Sequence, residues 1–168
     1  AGFNTLGFNT MSEGGLGVMI LLMLTGGSPG STAGGMKVTT LAVMASTALA
    51  IFRRQEDTHF FGRRVEEETV RSAMAILTLY LTLFFFGGLL ISRVEQLPLL
   101  TCLFESASAV GTVGVTLGIT SQLGPLSRFV LILLMYAGRV GALTVVFAAL
   151  SGGRSNSARL PREKLIVG

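Results

Sequence analysis

The 24 residues from Thr69 to Ser92 are almost uniformly apolar. About 20 such residues match the hydrocarbon thickness of a bilayer, so this run predicts a membrane-spanning helix. In lipid every backbone polar group must be bonded internally, which leaves few alternatives to a helix. A second membrane-length run, Leu126 to Leu150, is interrupted by Gly138-Arg139-Val140-Gly141. Charged residues make up 13% of the 168-residue chain and hydrophobic residues 50%, against about 25% charged in soluble domains. The expected fold class is all-α integral membrane.

Three apolar segments do not fit a simple crossing. Leu16 to Thr25 is too short to span, runs into residues 26–35 (GGSPGSTAGG), and is followed by apolar sequence from Met36 to Phe52. Proline removes a backbone donor and glycine loosens a helix, so one membrane element broken in its middle is predicted. Such a break is tolerated only inside protein or along a watery cavity, which puts residues 26–35 beside a pore. Leu97 to Gly111 is also short, with Pro98 suited to a first helical turn, and reads as a pore helix.

That helix is followed by Thr112-Val113-Gly114 and then by the second long run. Short helix, glycine turn and spanning helix is the order of a re-entrant pore loop. Carbonyl oxygens on such a turn can replace the hydration shell of a potassium ion. Gly114 can take positive φ, Thr112, Val113 and Val115 would add neighbouring oxygens, and the helix would aim its negative C-terminal end at the ion. Ala1-Gly2-Phe3-Asn4-Thr5 forms a second candidate turn before an apolar segment, with Asn4 and Thr5 as its braces. From Gly2 to Gly27 is 25 positions, and from Gly114 to Gly138 is 24. Matching interruptions in two halves point to internal repeats around a transport site. The chain starts without methionine inside such a turn and reads as a fragment.

Orientation follows from the basic residues. The connector 53–71 and the tail from Ser151 hold nine of thirteen Lys/Arg, so both are expected to be cytoplasmic. Basic residues at helix ends, rather than on one face, argue against nucleic acid. The connector is expected to become helical near Arg63.

Single residues divide into functional and structural candidates. Arg139, in the middle of an apolar span where a charge costs about 2.5–3.5 kcal/mol, needs a partner, and the free carbonyls of the broken segment are suited to it. Lys37 either joins that site or snorkels to water. Glu105, inside the pore helix, either shapes the field at the turn or bonds its backbone, the second being favoured. His59 reads as a surface residue, Cys102 as apolar packing, and Phe84-Phe85-Phe86 as a face towards lipid or other helices. A phosphate-binding loop beginning at Gly30 fails because Met36 stands where lysine is required and no strand pattern precedes it. A single cysteine excludes an intrachain disulfide and a multi-cysteine metal site.

The turn at Ala1-Gly2-Phe3-Asn4-Thr5, the string Gly26-Gly27-Ser28-Pro29-Gly30-Ser31-Thr32-Ala33-Gly34-Gly35-Met36-Lys37, the turn Gly111-Thr112-Val113-Gly114-Val115-Thr116 and the segment Gly138-Arg139-Val140-Gly141 together resemble the Trk/Ktr/HKT superfamily of potassium and sodium transporters. The resemblance covers nearly the whole chain. It departs at Ala142, where the family usually has proline, and its last residues, Glu163 to Gly168, look like the family's C-terminus. It implies the third and fourth of four helix–pore loop–helix repeats: 1–56 ending the third, 57–152 forming the fourth, and 153–168 a cytoplasmic tail. It implies backbone-carbonyl coordination of K+, or of Na+, by Gly2, Thr112, Val113 and Gly114 within filter turns that also include Ala1, Phe3 and Val115. It implies a gate formed by residues 26–35 with Lys37 and Arg139. The implied partners are a second copy in a homodimer, a cytosolic nucleotide-binding regulatory ring and the bilayer of the cell membrane. No enzymatic activity and no resident cofactor are expected. The two competing readings are a tetrameric-type potassium channel, against which Thr116 stands in place of a second filter glycine, and a non-transporting membrane scaffold.

Overall fold

The computed structural model describes residues 2–5, 7–31, 33–54, 59–60 and 63–141. Its helices are α1 (Glu13–Leu24), α2 (Val38–Phe52), α3 (Glu67–Glu95), α4 (Leu99–Val110) and α5 (Pro125–Val140), with a single 3-10 turn at Phe8–Thr10. The all-helical expectation is qualified by one small hairpin, in which β1 (His59–Phe60) pairs antiparallel with β2 (Arg63–Arg64). This corrects the start of α3. Arg63 and Arg64 are held in strand pairing, and the helix begins at Glu67, where Glu67 and Glu68 complement the positive end of the helix dipole.

α3 is the one described helix long and apolar enough to cross a bilayer. At 12 residues, α4 is about 18 Å long by the usual helical rise, too short to do so. It is nevertheless the centre of the molecule. α1, α3 and α5 all pack on it, and every residue from Phe104 to Gly111 is buried. Gly87 and Gly88 of α3 let its backbone come close to Leu103 of α4 and Leu134 of α5, the small-residue packing expected where hydrophobic burial alone cannot drive association. Buried Ser106 donates to the Phe84 carbonyl at 2.8 Å and fastens α4 to α3.

The core divides into two clusters. One joins Tyr80 and Ile91 of α3 to Cys102, Val110, Leu131 and Leu134. The other joins Ile20 and Met23 of α1 to Phe84, Phe104 and Val115. Cys102 is fully buried, in keeping with a packing role. The three consecutive phenylalanines split as their helical positions require: Phe84 faces the core and Phe85 and Phe86 face outward. The outward face of α5 is also apolar, with Phe129, Ile132, Leu133 and Tyr136 exposed. Residues beyond Gly141, including Ala142, the rest of the expected span to Leu150 and the basic tail, lie outside the described residues.

Candidate functional site: a filter turn seated on a glycine loop

α4 ends in a hydrogen-bonded reversal. Gly111 N–H donates to the Ala107 carbonyl at 2.8 Å, Thr112 N–H to Ala109 at 3.1 Å, and Val113 N–H to Ser108 at 2.9 Å. The last two are the paired bonds of a Schellman motif. The residue in its left-handed position is ordinarily glycine; here it is Thr112, at φ 53°. A β-branched residue in that conformation costs about 1–3 kcal/mol and persists only where neighbours hold it.

The neighbour that holds it is the break between α1 and α2. Gly34 N–H donates to Thr112 Oγ1 at 2.9 Å, across 78 positions of sequence. The adjacent Gly35 N–H donates to the Gly138 carbonyl at 2.9 Å, and the Tyr80 hydroxyl is within 3.5 Å of the same carbonyl. Three backbones meet here with no room for side chains. A Cβ on Gly34 would lie 2.4 Å from Thr112 Oγ1, and a Cβ on Gly138 would lie 2.1 Å from the Val110 carbonyl oxygen. The break, the end of α4 and the glycine of α5 therefore form one packed joint.

The described part of the break is non-helical, as its composition demands. Gly26, Gly30 and Gly35 take positive φ. Val38 N–H returns to the Gly27 carbonyl at 3.1 Å, closing the loop at its base. Ala33 N–H donates to Ser31 Oγ at 3.2 Å, and Ser31 N–H to the Ser28 carbonyl at 3.1 Å. Lys37 Nζ donates to the Ala33 carbonyl at 2.6 Å and approaches that of Ser31 at 3.4 Å. Its side chain thus turns back on the loop that it follows. Pro29 is exposed, and Thr32 lies outside the described residues. A cavity of about 250 Å³ separates the loop from the turn, walled by Gly26, Gly27 and Ala33 on one side and Gly111, Thr112 and Val113 on the other.

On the far side of Thr112, Gly114 stands at φ 87° and is exposed, while Val115 is buried in the second core cluster. The first candidate turn comes to meet it. Gly2, at φ 68°, is so close that a Cβ there would lie 2.5 Å from the Gly114 carbonyl oxygen. The glycines of two turns 112 positions apart in sequence are thus neighbours at the C-terminal end of α4. Phe3 beside Gly2 is almost fully exposed, and Ala1 lies outside the described residues.

The charged residues divide the work. Arg139 is exposed and lines a second cavity, of about 510 Å³, together with Glu105, Thr112, Gly114 and Thr116. Glu105 is buried, and its carboxylate accepts from Thr116 Oγ1, from Leu117 N–H at 2.9 Å and from Thr120 Oγ1 at 2.9 Å. The bonding role anticipated for it is therefore present. At the opposite end of α3, Glu95 accepts from Gly124 N–H at 2.9 Å and Ser127 Oγ at 2.6 Å, fastening the start of α5. Sequence reasoning missed the Thr112–Gly34 bond and the part of the Gly138 carbonyl. No local signal could have found either, since each depends on a partner far along the chain. His59 falls in β1, within the polar connector. The segment tested as a phosphate loop follows a helix, α1, rather than the strand such a motif requires.

Comparison with known proteins identifies the family. Residues 1–157 match the TrkH family, described as a cation transport protein. The whole chain is 36% identical over 168 residues to Ktr system potassium uptake protein B of Bacillus subtilis, covering 38% of that protein. It is 36% identical over 174 residues to potassium/sodium uptake protein NtpJ of Enterococcus hirae, covering 39% of it. It is 30% identical over 168 residues to Ktr system potassium uptake protein B of Vibrio alginolyticus, covering 37%. The chain thus spans well under half the length of these relatives. It belongs to the TrkH family of cation transport proteins, a family of membrane transporters rather than enzymes.

Proposed function

We propose that this chain supplies two of the walls of a potassium pathway, the third and fourth repeats of a four-repeat subunit. The turns at Gly2 and at Thr112-Val113-Gly114-Val115 act as parts of one selectivity filter, coordinating the ion through backbone carbonyls. The observation that carries this reading is their convergence: the Gly114 carbonyl lies close beside Gly2, beyond the C-terminal end of a buried short helix. A helix terminus of that polarity favours a cation. A single-glycine turn fits few ordered ion sites rather than a long queue, and potassium is the preferred ion with sodium as competitor.

The loop 26–37 acts as a gate. It sits across a small cavity from the filter turn; among the described residues, Gly34 N–H ties it to the Thr112 side chain and Gly35 N–H ties it to the Gly138 carbonyl of α5. Each such bond contributes about 0.5–1.5 kcal/mol net, a strength that a regulatory change elsewhere in an assembly can overcome. Arg139, beside the ion path, raises the barrier to a cation and anchors the broken segment. In this reading residues 1–56 complete the third repeat, 57–152 form the fourth, and 153–168 are a cytoplasmic tail. The apolar outward faces of α3 and α5 meet lipid and neighbouring repeats, with the connector 53–71 on the cytoplasmic side. Flow is passive or coupled to sodium or protons. Dimerisation and a cytosolic nucleotide-binding ring complete the assembly.

The test is potassium uptake by the complete gene product in cells stripped of their own uptake systems, comparing wild type with Gly114→Ser. Wild type should restore growth at low potassium, and the variant should lose affinity or selectivity. A wild type that carries neither potassium nor sodium overturns the reading.

A further inference from the structure

We propose that Glu105 is a positioning residue that holds the Gly114 turn in shape and thereby sets its discrimination between potassium and sodium; the inference rests on the filter reading above. Among the described residues, the turn is gripped from both sides by α4. On one side Val113 N–H is bonded to the Ser108 carbonyl. On the other, Thr116, Leu117 and Thr120 all bond to the Glu105 carboxylate, and Gly118 N–H adds a bond to Thr116 Oγ1 at 2.9 Å. Only Gly114 and Val115 lie between the two grips, and Val115 is itself buried.

Glu105 is 4% exposed and sits in a helix whose neighbouring positions are all buried. A buried carboxylate is costly unless its oxygens are satisfied, and here both are. The donors that satisfy them belong to the segment following the filter turn, so the carboxylate and that segment stabilise each other. Filter oxygens must replace a hydration shell, and their field strength and spacing decide which ion enters. A turn released on one side can relax around either ion.

Shape and charge can be separated, because glutamine can preserve the network. Its oxygen would accept from Leu117 N–H and Thr116 Oγ1, and its amide would donate to Thr120 Oγ1. That hydroxyl could then donate across the 3.0 Å gap to Thr116 Oγ1. Alanine removes the Glu105 grip and leaves the Val113–Ser108 bond in place.

Potassium uptake with sodium competition in the complete gene product tests this with E105A, E105Q and the double variant T116V/T120V. Their abundance in the membrane is measured alongside. The expected result is about a tenfold loss of potassium-over-sodium preference in E105A and recovery to within about threefold of wild type in E105Q, roughly 1.4 kcal/mol for the first. The near-isosteric double variant should also lose preference. Wild-type selectivity in E105A overturns the proposal. So does equal impairment in E105Q and E105A, which would assign the effect to charge. If E105A does not accumulate, T116V/T120V decides: unchanged selectivity overturns the proposal. A wild type that moves neither cation sinks the filter reading itself, a result distinct from normal wild-type transport with indifferent variants.

Discussion

Gly138→Ala is the substitution with the clearest structural consequence. The added Cβ would stand 2.1 Å from the Val110 carbonyl oxygen, 2.9 Å from its carbon and 3.2 Å from Thr112 Cγ2. Two of these contacts involve backbone, so no side-chain rotation relieves them. To restore ordinary contact, α5 and the end of α4 must part by roughly 1 Å, and overpacking of this kind costs about 1–3 kcal/mol. The same movement carries the Gly138 carbonyl away from Gly35 N–H, now 2.9 Å distant, and losing that bond adds about 0.5–1.5 kcal/mol. A destabilisation of about 2–4 kcal/mol follows. Gly17→Ala makes the same chemical change inside α1, where an added Cβ meets nothing within 4 Å. There it should stabilise, by about 0.5–1 kcal/mol, because alanine loses less backbone freedom on folding. Thermal unfolding of the purified full-length protein in detergent should move in opposite directions for the two variants. Resting potassium leak should rise for Gly138→Ala alone. Equal unfolding temperatures for Gly138→Ala and wild type would refute the three-backbone joint.

Two further outcomes follow from the same geometry. Thr112→Ser keeps the acceptor for Gly34 N–H and should transport nearly as wild type. Thr112→Val keeps the strained β-branched backbone but orphans that N–H, costing about 1–3 kcal/mol; uptake assays and unfolding temperature should rank Val below Ser, and the reverse order would remove the latch between loop and turn. Cys102, fully buried between α4 and its neighbours, should resist a membrane-permeant maleimide in the folded protein and react once it is unfolded. Rapid labelling of the native state would show α4 to be more open than described.

Much of this arrangement was legible in the chain itself, because its signals are local. Apolar run length set the extent of α3 and the shortness of α4, and the glycines and proline of residues 26–35 placed the interruption between α1 and α2 within a few residues. Glu105 could be recognised as bonded because a carboxylate inside a buried helix has few other options. The pairing of residues 59–60 with 63–64 escaped notice, since two-residue strands leave no periodicity to read. Thr112 at a left-handed position was equally hidden: its sequence neighbours favour no such conformation, and what stabilises it is a donor 78 residues away. The choice of the Gly138 carbonyl as the anchor for Gly35 likewise depends on how closely α5 can approach α4. Composition and spacing decide where a helix must stop and where backbone groups are left free. Which of those free groups find each other is decided by packing, because a hydrogen bond between distant segments forms only where the helices bring both ends to within 3 Å.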